Sequence, residues 1–143
     1  MTIKVIVDTN VLVAGLISSK GSNREILRLC LKGELQPFVG NALYLEYQDL
    51  LNREKIQALC QQTSVSLMEF LDGFAHVCKS VDARYLWRPN LRDEADNHLV
   101  ELAIAAQAAY IITNNISDFA YPELKHLGYE VITPEQLLRL LKS

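Results

Sequence analysis

The chain lacks any apolar run approaching the roughly 18 residues that a membrane-spanning helix needs, so no membrane association of that kind is expected. It also lacks a charged segment leading into a short apolar stretch at its start. Met1, Thr2 and Ile3 run straight into strand-like sequence, unlike a secretory leader, and a cytoplasmic protein is expected. Cysteine is scarce and odd in number. Cys30, Cys60 and Cys78 lie far apart, form no C-x-x-C pair and have no histidine at zinc-ligand spacing. Their apolar helical settings read as small buried hydrophobes. Basic residues do not prevail either, with 14 Lys and Arg against 17 Asp and Glu. That balance excludes binding to nucleic acid by bulk charge alone. It leaves open an enzyme whose carboxylates gather around divalent cations. No linker, repeat or low-complexity stretch divides the 143 residues, which read as a single domain, 1–143.

What is present is an alternation of strands and helices. Val5, Ile6 and Val7 form a short β-branched run suited to a strand buried on both faces. Helices are predicted over Val11 to Ile17, then over a segment opened by Ser22 and Glu25 at capping-box spacing and closed by Gly33. Gln36 to Val39 reads as a second strand and Ala42 to about Arg53 as a helix. Two more helices are predicted, Glu54 to Cys60 and Leu67 to Cys78, the latter introduced by Ser66 and Glu69. A third strand is read at Val81 to Trp87, near a sheet edge because Arg84 and Arg88 interrupt it. The helix opened by Asp93-Glu94-Ala95-Asp96, a strand at Tyr110 to Thr113, a short helix at Pro122 to His126 and a strand at Glu130 to Ile132 follow. Thr133, Pro134 and Gln136 then supply the cap, first-turn proline and capping-box partner of the closing helix. This order implies a three-layer α/β/α sandwich around a mostly parallel sheet of about five strands.

Four acids break hydrophobic patterns at what should be one edge of that sheet. Asp8 ends the first strand, where it can also cap the next helix. Glu46 falls in the apolar stripe of Leu43 and Leu50 and needs a partner, for which a metal or a base would serve. Asp96 shares the inner face of its helix with Leu99, Val100 and Ala103, and Asp118 follows the fourth strand. Carboxylates brought together repel unless a cation neutralises them, and hard oxygen ligands select Mg²⁺ or Mn²⁺. A pocket of this kind, with no nucleophilic triad, points to phosphodiester hydrolysis by metal-activated water. A phosphotransfer domain with Asp8 as nucleophile would need a cation late in the chain, and no Lys lies between Asn114 and Asp118. No G-x-G-x-x-G follows the first strand, which disfavours a dinucleotide site.

Val7-Asp8-Thr9-Asn10-Val11-Leu12, the helical Glu46, Arg92-Asp93-Glu94-Ala95-Asp96-Asn97 before Leu102-Ala103, and Thr113-Asn114-Asn115-Ile116-Ser117-Asp118-Phe119 stand in a telling order. Together they resemble the PIN-domain family, ribonucleases that include the VapC-like toxins of bacterial toxin–antitoxin pairs. The resemblance covers almost the whole chain. It implies Asp8, Glu46 and Asp96 as acidic metal ligands, with Asn10 beside Asp8 as polar support and Thr113 and Asn115 in the last element of the site. Many members read Thr-Gly-Asp where this chain reads Thr113-Asn114-Asn115, so an amide replaces a carboxylate. The similar Thr-x-Asn-x-x-Asp-Phe variant would let Asp118 supply the fourth charge. The resemblance also implies an RNA substrate, an antitoxin protein as partner, and a homodimer.

Arg84, Tyr85, Trp87, Arg88 and Arg92 mix cations with aromatics and contain no acid, a composition able to hold RNA by phosphate contacts and stacking. The competing reading is an edge strand with solvated arginines. Arg24, Arg28 and Lys32, along one helix face, compete for the same role. His76, His98 and His126 share no spacing and read as structural or surface residues. Asn115 also motivates an alternative, a non-catalytic RNA-binding or interaction module with a weakened acidic site.

Overall fold

The computed structural model describes residues 2–81, 94–119 and 128–142, with the backbone alone over 94–97. The β-branched run forms the first strand, β1 (Ile3–Val7), and Val5, Ile6 and Val7 are fully buried. The other strands are β2 (Leu35–Val39), β3 (Lys79–Ser80), β4 (Tyr110–Ile112) and β5 (Glu130–Ile132). All pair in parallel, in the order β3-β2-β1-β4-β5. β1 is therefore the central strand, as a run apolar on both faces requires. The chain moves outward to β2 and β3, then returns across β1 to β4 and β5. The reversal falls between β1 and β4, and a crevice opens outside the carboxyl ends of strands at such a switch point.

Helices α1 (Thr9–Ile17) and α2 (Ser22–Leu31) connect β1 to β2. They approach closely because Gly15 has no side chain: a Cβ there would lie 2.6 Å from Leu27 Cδ1 and 3.1 Å from the Asn23 carbonyl oxygen. Ser22 and Glu25 do not form the expected capping box. Gly21 is the N-cap, no side chain caps the helix, and Glu25 instead lies 3.7 Å from Arg28. The other end matches expectation: Gly33 has φ 82°, and the N–H groups of Gly33 and Glu34 return to the Cys30 and Leu29 carbonyls.

Three helices join β2 to β3: α3 (Asn41–Leu51), α4 (Glu54–Cys60) and α5 (Ser64–Val77). The last begins one turn before the predicted start, because Thr63 rather than Ser66 is the cap and accepts the Ser66 N–H. Leu67, Leu71 and Phe74 are buried as their spacing predicts. The third strand departs from expectation. Its pairing with Phe38 and Val39 runs through Lys79 and Ser80, and the Val81 N–H adds a bond to the Val39 carbonyl. An edge strand needs backbone partners more than apolar side chains, so the hydrophobic run beginning at Val81 gave the wrong start. Residues 82–87 of the predicted strand, with Arg84 and Arg88, lie outside the described residues, as do Arg92 and the predicted helix at Pro122 to His126.

Helix α6 (Glu94–Ala106) carries the chain back to β4, and α7 (Pro134–Lys142) closes it. The predicted capping box of α7 is made in full: the Thr133 N–H donates to Gln136 Oε1 and the Gln136 N–H to Thr133 Oγ1, both at 3.1 Å. Burial pushes the Cys30 and Cys78 thiols up to about 12, which fits inert packing side chains. Among the described residues no helix is long and apolar enough to cross a membrane.

Candidate metal centre

At the β1–β4 switch point the apolar strands give way to polar residues on both sides. Asp8 follows β1 and Thr113 follows β4, and both are buried, Asp8 to 6% exposure. The Thr113 hydroxyl donates to Asp8 Oδ2 at 2.7 Å, joining strand ends that are 105 residues apart in sequence. The Thr9 N–H donates to Asp8 Oδ1 at 2.7 Å, so Asp8 also caps α1. Capping and membership of the site are thus compatible: the helix start fixes one carboxylate oxygen and the neighbouring strand fixes the other.

Asn10 lies beside Asp8 and Thr113. Its Nδ2 lies 3.3 Å from both Asp8 Oδ2 and Thr113 Oγ1, and its Oδ1 accepts the Asn114 N–H at 3.1 Å. The Asn115 N–H donates to Thr113 Oγ1 at 3.1 Å, a contact made by its backbone. Asn114 adds a bond from its side chain to Asn23 at the start of α2, tying the last polar loop to a second helix.

Glu46 approaches from α3. The buried stripe of that helix is Leu43, Tyr47 and Leu51, at intervals of four residues, and Leu50 is only half-buried. Glu46 therefore borders the stripe and does not lie within it. Tyr47 donates its hydroxyl hydrogen to the carbonyl of Val7, the residue before Asp8, and so fixes α3 to the end of β1. Glu46 Oε2 lies 2.8 Å from His98 Nε2, on α6. His98, expected from the sequence to be a structural or surface residue, is thus a base in contact with Glu46. Neither spacing nor pattern marks the pair, because 52 residues separate its members.

The electrostatics single out Asp8. Burial raises its carboxyl pKa above the ordinary aspartate value, the hydrogen bonds from Thr113 and Thr9 lower it, and the Glu46 charge raises it again. A carboxylate held in such a place, with a second acid acting on it, suits a hard divalent cation, which would offset both the desolvation and the repulsion. Of the four predicted acids, Glu46 is one whose charge acts on Asp8. Asp96 falls in the first turn of α6, and its side chain is outside the description. Asp118 is an exposed residue of the 3₁₀ turn Ile116–Phe119. Among the described residues no three His, Cys, Asp or Glu side chains form a metal-holding group.

A cavity of about 780 Å³ opens beside His98, lined by Gly40, Asn41, Tyr44, Ser80, His98 and Glu101 among others. It lies at the carboxyl ends of β2 and β3, on the same edge of the sheet as Asp8.

Thr113→Val tests how far the strand-end hydroxyl governs Asp8. The replacement removes the donor that does most to lower the Asp8 pKa. The Asp8 carboxyl resonance, followed by NMR, should then titrate higher than in wild type. Stability at neutral pH should fall by about 1–3 kcal/mol, the cost of a buried polar group losing its partner. An unmoved titration would show that Thr113 does not hold the carboxylate in solution.

A parallel sheet covered by helices, with a buried carboxylate at its switch point, defines an α/β/α domain of the kind in which ligands bind at the carboxyl edge of the strands. Residues 4–117 match the family model described as the PIN domain, and the chain belongs to that family. Among solved structures the fold is similar to a chain of VapBC2 from Rickettsia felis, crystallised bound to a DNA fragment from their promoter. The TM-score is 0.65 and the identity 19%, over 92% of this chain and 98% of that one. No curated protein matches the sequence.

Proposed function

We propose that the protein is a Mg²⁺- or Mn²⁺-dependent endoribonuclease that hydrolyses RNA phosphodiester bonds, and that it is the toxin of a toxin–antitoxin pair. The observation that carries this reading is the buried Asp8 carboxylate at the β1–β4 switch point, acted on by the Glu46 charge. Asp8, Glu46 and Asp96 would hold the ion, with Asp118 as a fourth acid. Asn10, Thr113 and Asn115 support them. When bound, a divalent ion in such a site supplies a nucleophilic water at neutral pH and stabilises charge on the leaving oxygen.

The chain's own residues do the rest. Thr9 and Thr113 fix the two Asp8 oxygens in direction, so the carboxylate need not reorganise when charge develops. Membership of the PIN-domain family supports nuclease chemistry. The cavity lined by His98 is of a size that takes a small ligand such as a nucleotide. Arg84, Arg88 and Arg92 are proposed as phosphate contacts. The likeness to VapBC2 supports an antitoxin partner, and we include homodimerisation and a cytoplasmic location in the same reading.

A second reading, a non-catalytic RNA-binding or interaction module, draws on the exposure of Asp118 and on the amide at Asn115. Cleavage of a defined single-stranded RNA in Mn²⁺ separates the two. In the leading reading Asp96→Asn loses activity by on the order of a thousandfold, as when one anchor of transition-state charge is removed. Asp118→Asn loses at least about tenfold if it serves as the fourth acid. RNA that binds in Mn²⁺ but stays intact at every enzyme concentration favours the module, and cleavage unaffected by Asp96→Asn removes that residue from the site.

A further inference from the structure

The contact between α3 and α6 joins a candidate ligand to a residue with no assigned task. His98 Nε2 lies 2.8 Å from Glu46 Oε2, with the two side chains 19% and 35% exposed. An ionised carboxylate only accepts hydrogen bonds, so the shared hydrogen belongs to Nε2. Nδ1 is buried and has no hydrogen-bond partner among the described residues. A hydrogen on Nδ1 would be stranded there, and the tautomer that fits this packing carries its hydrogen on Nε2, aimed at Glu46. His98 is therefore poorly placed to be a metal ligand: one nitrogen is engaged and the other is enclosed.

The ring itself is well held. Glu101 and Leu102 follow it on the same face of α6 and are buried, and the Leu102 side chain closes against the position of Gly40 at the start of α3. Glu46, by contrast, borders the apolar stripe of its helix and carries a flexible stem. Its neighbour Tyr47 is fixed to the carbonyl of Val7, so the backbone of α3 is anchored beside Glu46.

We propose that His98 is a positioning residue for the metal centre: its Nε2–H holds one oxygen of Glu46, so that the carboxylate is presented toward Asp8. This rests on the metal-dependent reading above. Groups that hydrogen-bond a metal-ligating carboxylate from outside typically change metal affinity by about 10–100-fold when removed.

Calorimetric titration of Mn²⁺ into the full chain tests it, using His98→Leu, His98→Gln and the same changes in a Glu46→Gln background. His98→Leu, which keeps the bulk and loses the donor, should weaken Mn²⁺ binding by about 10–100-fold. His98→Gln, whose amide can reach the same oxygen, should restore binding to within a few-fold of wild type. In the Glu46→Gln background the leucine change should add no further loss, as expected of two residues acting through one contact. Should His98→Leu fail to fold, His98→Asn, whose amide is too short to reach Glu46, takes its place. Unchanged affinity in the donor-less variant, failure of glutamine to restore it, or an undiminished loss in the Glu46→Gln background overturns the role of His98. Absence of Mn²⁺ binding by wild type at millimolar concentration overturns the metal-dependent reading and this inference with it.

Discussion

The Asp8→Asn variant should cleave RNA on the order of a thousandfold more slowly than wild type, while its metal-free form resists unfolding better. The two effects have one cause. Asp8 is buried at the end of the central strand, and desolvation raises its carboxyl pKa from the ordinary 3.8. The folded chain therefore holds the Asp8 proton more tightly than the unfolded chain does. Between 3.8 and the raised value the native state binds more protons, so stability falls as pH rises through that window and stays lower above it. A neutral asparagine removes that decline. Urea unfolding of the chelator-treated proteins at pH values from 4 to about 7 checks the sign. Wild type should lose stability with rising pH relative to Asp8→Asn, and Mn²⁺ should narrow the gap by binding wild type more strongly. A variant that is less stable than wild type across the whole range would show that Asp8 serves the fold rather than the site.

The largest loss of stability is expected at Tyr47. Its ring is buried at 1% exposure and meets Phe74 edge-on, with centroids 6.0 Å apart. Burial drives its phenol pKa well above the ordinary value, so the hydroxyl remains a donor to the Val7 carbonyl. Tyr47→Phe keeps the ring and strands that carbonyl, at a cost of about 1–3 kcal/mol. Tyr47→Ala also opens a cavity, at a cost of about 3–5 kcal/mol. That is a large fraction of the roughly 5–15 kcal/mol by which domains are stable. Denaturant unfolding measures both. The phenylalanine variant carries a further expectation, because the bond it breaks joins α3 to the residue beside Asp8: its RNA cleavage should fall more than its modest destabilisation implies. Full activity in a folded Tyr47→Phe protein would show that this tie does not position Glu46.

What could be read from the sequence was what local chemistry decides. The capping box at Thr133 and Gln136, the closing Gly33 and the buried run before Asp8 each depend on residues a few positions apart. The parallel five-stranded sheet followed from their alternation. Errors arose where backbone pairing or distant contacts decide. Lys79 and Ser80 form an edge strand with exposed polar side chains, so no hydrophobic pattern announces them. Ser22 has the spacing of a cap, yet Gly21 begins the helix and leaves it unused. At Glu46 the pattern showed that a partner was needed, but a contact with α6 supplies it and sequence spacing cannot name His98. Asp8 was legible for the opposite reason: a carboxylate ending a strand buried on both faces contradicts its own surroundings. Thr113, at the end of another buried strand, carried the same signal.

The proposed metal-dependent chemistry centres on Asp8. Its most direct test is the initial rate of cleavage of a defined single-stranded RNA as Mn²⁺ is titrated into chelator-treated protein, with Asp8→Asn purified in parallel. The prediction is a rate that rises from nothing to saturation in wild type and stays at background in the variant. Cleavage by wild type that persists in excess chelator, or an Asp8→Asn protein that matches it, would contradict the assignment.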